Sequence, residues 1–201
     1  MRALKSLLVL AAIAVATTTV EAQQITLGEA SYGGNGCPAG SASISTTSDG
    51  RTMSVLFDSF AAEAGNTTGR RIDRKSCNLR VPVRVPNGYS MALIAVDYRG
   101  FNAVPGQGAY NEFRAEYFYA GSRGPVFQKR FQGPQADSFQ ITNNLIATNL
   151  IWSACSKEVI FSINAAATAM SNSRMDQTMM IVDSIDISAG MIYHFQLRRC
   201  N

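Results

Sequence analysis

YNEFRAEYFYA, Tyr110–Ala120, sets Phe113, Ala115, Tyr117 and Tyr119 against Glu112, Arg114 and Glu116. A period of two places one set on each face of a strand, whereas a helix would mix the two sets. The same period recurs along the chain. In RTMSVLFD, Met53, Val55 and Phe57 oppose Thr52 and Ser54, and in CNLRVPVRV, Leu79, Val81, Val83 and Val85 oppose Arg80, Pro82 and Arg84. Pro82 lacks the N–H a ladder needs, which predicts an edge or a bulge there. Asn87-Gly88 reads as a type I′ hairpin turn leading into Met91–Val96. VFQKRF and DSFQI are short strands separated by Gly133-Pro134, followed by EVIFSINAAATA, QTMMIVDSI and MIYHFQLRRC. The alanines at 165–169 suit a helix by propensity, but they continue the alternation of Val159, Phe161 and Ile163, which predicts strand. About nine or ten strands, with no linker, repeat or helical stripe, predict one all-β domain over residues 23–201, an antiparallel β-sandwich.

Residues 1–22 have the design of a secretory signal peptide. Arg2 and Lys5 precede the apolar LLVLAAIAVA, and Val20 and Ala22 stand at the small or aliphatic positions before a cut after Ala22. That apolar run of about ten residues is too short to span a bilayer, and no later segment reaches the necessary length. The expected location is therefore extracellular, without a membrane span. The net charge of +4 falls to about +3 once the leader is removed. That excess lacks the clustering of a nucleic-acid binder, though it allows a weak attraction to anionic wall polymers. Cys37, Cys77, Cys155 and Cys200 form an even set suited to disulfides in an oxidising compartment. None of their spacings is that of a metal knuckle. Pairings Cys37–Cys77 and Cys155–Cys200 are preferred because each joins one half of the chain to itself, and the crossed pairings stay open.

SYGGNGCPAGSASI (Ser31–Ile44) poses the question of a phosphate-cradling loop, half a metal site or an anchored turn. A phosphate loop needs a helix behind it. Here two strand-like runs follow, joined at Ser48-Asp49-Gly50, so the glycines read as a sharp bend pinned by Cys37, probing no phosphate.

Hydrolytic chemistry finds little support. His194 is the single histidine and alternates with Ile192, Gln196 and Arg198 on the polar face of a strand, opposite Met191, Tyr193, Phe195 and Leu197. No GxSxG elbow accompanies it, and one histidine does not make a His-rich zinc site. Glu112 and Glu116 share a strand face about 13 Å apart, beyond either glycosidase geometry. With Arg114 between them they read as a solvated charge ladder. Asp183 and Asp186 fall on opposite faces of their segment, and Asp97 paired with a glutamate across strands is the remaining acidic arrangement. The expectation is a non-enzyme with no cofactor and no metal.

Carbohydrate binding asks for less: exposed rings and polar neighbours on a rigid sheet. Tyr32, Tyr89, Tyr98, Phe101 and Tyr110 read as lying in or near turns, and DYRGF combines Asp97, Tyr98, Arg99 and Phe101. Asp97, Tyr98, Arg99, Phe101 and Tyr110 are the candidate ligand-binding residues, against the alternative that the rings cap the core. Trp152, near Cys155, is expected to pack on a disulfide. Arg70, Arg71, Arg74 and Lys75 read as a solvated loop rather than a polyanion site. Asn66-Thr67-Thr68 is an N-glycosylation sequon, making a glycoprotein in a eukaryotic source.

GGNGCPAGSASI, RKSCNLRVPV, VDYRGF, FQGP, WSAC and the terminal LRRC together resemble a secreted family known as domain of unknown function 4360 (DUF4360). The resemblance runs over nearly the whole chain beyond residue 22 and includes all four cysteines. WSAC stands where the family has WSPC, and FQLRRC where it has a tryptophan-containing version. The resemblance implies a small, secreted, disulfide-bonded β-protein and supplies no catalytic residues. The resulting expectation is a secreted, non-catalytic extracellular or cell-wall-associated protein. The alternatives are a carbohydrate-binding module for wall or extracellular polysaccharide, and a glycan-active hydrolase.

Overall fold

A computed structural model describes residues 24–145, 150–182 and 190–200. Asp183, Asp186 and the proposed leader lie outside them. Thirteen strands, all antiparallel, form two sheets among the described residues. The six-stranded sheet holds β1 (Thr26–Leu27), β2 (Ser31–Gly33), β6 (Ile72–Arg84), β8 (Tyr110–Tyr119), β9 (Val126–Gln132) and β11 (Glu158–Met170). Its order is β1-β6-β11-β8-β9, with β2 beside β6. The seven-stranded sheet holds β3 (Ala42–Thr46), β4 (Thr52–Phe57), β5 (Ala61–Ala64), β7 (Tyr89–Val104), β10 (Gln135–Asn144), β12 (Thr178–Ile181) and β13 (Met191–Arg199). Its order is β3-β4-β13-β7-β12-β5, with β10 beside β7. The sandwich is as expected from the alternation. The extra strands are β1, β2 and β5, two to four residues long, too brief to establish a period.

The alanine run is strand, in the middle of β11. Ala165, Ala167 and Ala169 face inward and leave room for the large residues of the core, among them Tyr98, Phe57, Phe60 and Met180. Such small-against-large matching is how two sheets reach interior packing density. Pro82 is not at an edge. β6 is paired on both sides, and Pro82 falls in the gap between β1 and β2, where its carbonyl accepts from the Gly28 N–H at 2.8 Å. Its missing N–H points into that same gap, so no ladder bond is lost.

The hairpin expected at Asn87-Gly88 is a corner instead, and the turn at Gly133-Pro134 is another. β6 and β7 belong to different sheets, and so do β9 and β10. Tyr89 N–H donates to Pro86 O at 3.1 Å, and Gly88 has φ 78° while Asn87 is not left-handed. That is the glycine-at-third-position pattern of a type II turn, not type I′. The corner is held by Gly88, whose N–H donates to Ser156 Oγ at 2.6 Å and whose carbonyl accepts from Cys200 N–H. There the Cys155–Cys200 disulfide closes the end of the sandwich, while Cys37–Cys77 joins the β2–β3 loop to β6. In that loop a Cβ on Gly34 would lie 2.1 Å from Ser76 O, and one on Gly36 2.5 Å from the Phe60 ring. Asn35 adds two bonds to the β6 backbone, at Arg74 O and Ser76 N. The glycine loop is an anchored turn.

Polar contacts fasten the sheets to each other. Asn111 of β8 is fully buried. Its Nδ2 donates to Asn102 Oδ1 at 2.6 Å and to the carbonyls of Ala103 and Met179, and its Oδ1 accepts from Thr178 Oγ1 at 3.0 Å. Further along β8, Tyr119 Oη donates to Met91 O at 3.0 Å. Burial pushes the phenols of Tyr117, Tyr119 and Tyr193 far above their ordinary value, which keeps Tyr119 a donor throughout the working range. Replacing Asn111 by Leu is expected to cost about 3 kcal/mol, since it strips partners from several buried groups, and Tyr119→Phe about 1–2 kcal/mol. Urea unfolding checks both; losses no larger than for an exposed control would contradict the fastening role.

Candidate functional site

The residues put forward from sequence separate onto different surfaces. Strict alternation in β7 sends Asp97, Arg99 and Phe101 to the outer face of the seven-stranded sheet and Tyr98 inward. Neither ring of DYRGF lies in a turn; both are mid-strand. Tyr98 is fully buried, stacked on Phe127 at 4.8 Å and edge-on to Phe113 at 4.9 Å, so it belongs to the core and cannot meet a ligand. Tyr110 lies on the other sheet, its ring covered by the Arg130 guanidinium at 4.1 Å. The Oη of Tyr32 accepts from the N–H groups of Gly40 and Ala42, and that of Tyr89 accepts from Arg199 Nε. These tyrosines brace neighbouring chain.

Asp97 is similarly spent. Oδ1 accepts from Thr142 Oγ1 of β10 at 2.5 Å, and Oδ2 lies 2.7 Å from His194 Nε2 of β13. His194 keeps to the polar face, as its alternation predicts. Three strands are thus tied at one carboxylate. Burial pushes that carboxyl up, but the bonds from Thr142 and His194, with the charges of His194 and Arg99, outweigh it and leave the group below its ordinary value. Among the described residues the hydrogen-bond partner of the His194 ring is Asp97. Glu112 and Glu116 stand on the other sheet, so neither pairs with Asp97. The Trp152 ring stacks with the Arg198 guanidinium at 3.9 Å.

The outer face of the six-stranded sheet is different. Register aligns Gly33, Asn78, Asn164 and Glu116 in one row across β2, β6, β11 and β8, and Ser31, Arg80, Ser162 and Phe118 in the next. Ser31, Gly33, Asn78 and Arg80 line a shallow depression, and the space where a Gly33 side chain would stand is open. In the middle of β11 the outward residues are small, Ser162, Asn164, Ala166 and Thr168, so the centre is low between longer side chains of β6 and β8. Among the described residues, no side-chain hydrogen bond or ion pair engages Asn78, Arg80, Asn164, Arg114 or Glu116. Glu112, by contrast, is held by Arg130 at 2.8 Å. Burial raises its carboxyl, and bonds from Gln128 and Arg130 with the charges of Arg130 and Arg74 lower it further than that, for a net fall. Glu112 thus pairs across the strands with Arg130, while among the described residues Arg114 and Glu116 form no ion pair, so the charge ladder expected along β8 is replaced by one cross-strand pair.

Sequence reading did not single out Asn78, Arg80, Asn164 or Phe118. Alternation does put Asn78 and Arg80 opposite Leu79 and Val81, and a phenylalanine on the polar side of β8 is a local anomaly. The register that brings Asn164 between Asn78 and Glu116 leaves no mark in any single strand. Of the basic run, Arg74 lies on this face, while Arg70 and Lys75 sit 3.5 and 3.7 Å from Asp73.

These features define a disulfide-bonded β-sandwich with one braced and one chemically unspent outer face. The chain belongs to the family described as Domain of unknown function (DUF4360), whose sequence model matches residues 23–200. It is similar to an "Uncharacterized secreted protein" of Arthroderma benhamiae, 26% identical over 170 residues that cover 84% of this chain and 69% of the relative. That kinship and two disulfides, which persist in oxidising compartments, mark the protein as secreted. Among solved structures it is similar to TmCBM61 in complex with β-1,4-galactotriose, at 11% identity and a TM-score of 0.30, over 85% of this chain and 88% of that one. At that level of superposition the two share no demonstrated site. Among the described residues no helix is long and apolar enough to cross a membrane.

The depressed Asp97 carboxyl gives a pH signature. Its stabilising bonds are complete above the ordinary aspartate value and are lost as pH falls through the lower folded value. Asp97→Asn is expected to lower stability by about 1–2 kcal/mol at neutral pH, with the gap to wild type closing in acid. Denaturant melts across pH measure this; a gap independent of pH would contradict the brace.

Proposed function

We propose that this is a non-catalytic extracellular protein that holds a wall or matrix polysaccharide against the outer face of its six-stranded sheet. The observation that carries the reading is the row Asn78–Asn164–Glu116, with Arg80 and Phe118 in the next row, all with hydrogen-bonding or stacking capacity unused. Sugar hydroxyls both donate and accept. Side-chain amides match both roles, a guanidinium donates, a carboxylate accepts and a ring offers a platform. Four adjacent strands span about 14 Å, long enough to meet several consecutive sugar rings. Because the side chains stand on paired strands, little ordering cost falls on binding.

The absence of catalysis is part of the proposal. Glu112 and Glu116 on one strand are about 13 Å apart, outside the separations of inverting and retaining glycosidases, and Glu112 is tied to Arg130. Depletion of the protein by insoluble wall polysaccharide tests the reading. Asn78→Ala with Asn164→Ala is expected to weaken retention about tenfold, about 1.4 kcal/mol, while Gln140→Ala on the opposite sheet leaves it intact. Equal retention of all variants, or release of sugar fragments on incubation, would overturn it.

Asn66 is proposed as a glycosylation site. It is exposed in a tight turn in which the N–H groups of Thr68 and Gly69 donate to Gly65 O, on the loop joining β5 to β6, away from the Asn78–Glu116 row. Secretion from a eukaryotic host should yield a species whose mass falls on treatment with an amide-cleaving glycosidase, and Asn66→Gln should abolish that shift.

A further inference from the structure

We infer that the polymer bound on this face is acidic, a polysaccharide bearing carboxylates of the uronic-acid kind; this rests on the reading that the face binds a polysaccharide. The charges there do not cancel. Arg130 takes Glu112 at 2.8 Å, and Arg84 faces Glu158 at 3.8 Å. Among the described residues Arg80 and Arg114 have no ion-pair partner, and Arg74 feels only the longer-range pull of Glu112. Against these three guanidinium groups the face offers one unengaged carboxylate, Glu116.

Their placement suits a repeating anion. Arg74 and Arg80 share β6, six positions and about 20 Å apart, and Arg114 stands about 10 Å across the sheet. It lies opposite Ala166, which is itself opposite Ser76. A discrete anion would be clamped by converging groups. Here the cations are spread at intervals around a low strip of Ser162, Asn164 and Ala166, which suits an extended chain with charge at every few bonds. Guanidinium forks take carboxylates in paired hydrogen bonds, stronger than those to neutral hydroxyls. The amides of Asn78 and Asn164 lie between the cations, where they meet the hydroxyls of intervening rings. The net charge, +4 over the full sequence and about +3 without the leader, adds a long-range attraction of the same sign.

The test compares polygalacturonate with its fully methyl-esterified counterpart, which keeps the backbone and removes the charge, and with a neutral galactan. Calorimetric titrations at low and high salt use wild type, Arg80→Gln with Arg114→Gln, and Asn78→Ala with Asn164→Ala. Polygalacturonate is expected to bind about tenfold or more tightly than the ester, weakening with salt, and the arginine pair is expected to erase that preference. Circular dichroism confirms that these exposed substitutions leave the fold intact. Equal binding of ester and acid, lost in the asparagine variant but untouched in the arginine variant, would overturn the acidic ligand and leave the polysaccharide reading standing. Binding of none of the polymers would overturn both.

Discussion

The Asn111 side chain is the point on which the two sheets depend. It is a buried amide on β8 whose partners all lie on β7 and β12, in the opposite sheet. Hydrophobic burial draws the sheets together without specifying their register, because apolar contact has no direction. A fully satisfied amide does specify it, since sliding either sheet would leave several buried groups without partners. Tyr119 repeats the device further along the same strand. Between them lies an aromatic core in which Tyr98, Phe113 and Phe127 meet at one end and Phe161, Tyr193 and Phe195 at the other.

With the sheets so fixed, β11 sets the character of both its faces. Ala165, Ala167 and Ala169 admit the bulky residues of the core. Ser162, Asn164 and Ala166 leave the outer surface low between β6 and β8. One run of small residues therefore serves packing and leaves the half-buried Asn164 at the floor of the outer face. The seven-stranded sheet takes the other course. There Asp97, Thr142 and His194 consume one another's hydrogen-bonding capacity, so the residues that look most chemical in the sequence are tied up in holding strands together.

How much was legible depends on the range of the interaction. The inward residues of β4, β6, β8 and β13 follow from alternation alone, since facing is a property of a single strand. Likewise the glycine loop follows from the absence of a helix behind it. Asn87-Gly88 is legible as a turn, but neither its type nor the parting of its two strands is, and Gly133-Pro134 is likewise a turn between strands of different sheets. A turn does not reveal whether its two strands pair or part to different sheets. Tyr98 reads from sequence as lying in or near a turn, but inside the long β7 strand its ring has to alternate with Asp97 and Arg99.

By itself, then, the sequence determined the all-β class, the inward face of each long strand and a cysteine set suited to an oxidising compartment, since these rest on local period and composition. Only the tertiary structure decided which strands share a sheet, that Asp97 is spent on His194, and that Asn78, Asn164 and Glu116 form one row. Those outcomes are matters of register between segments far apart in the chain, and a shift of two residues would change every partner while leaving each strand's alternation the same.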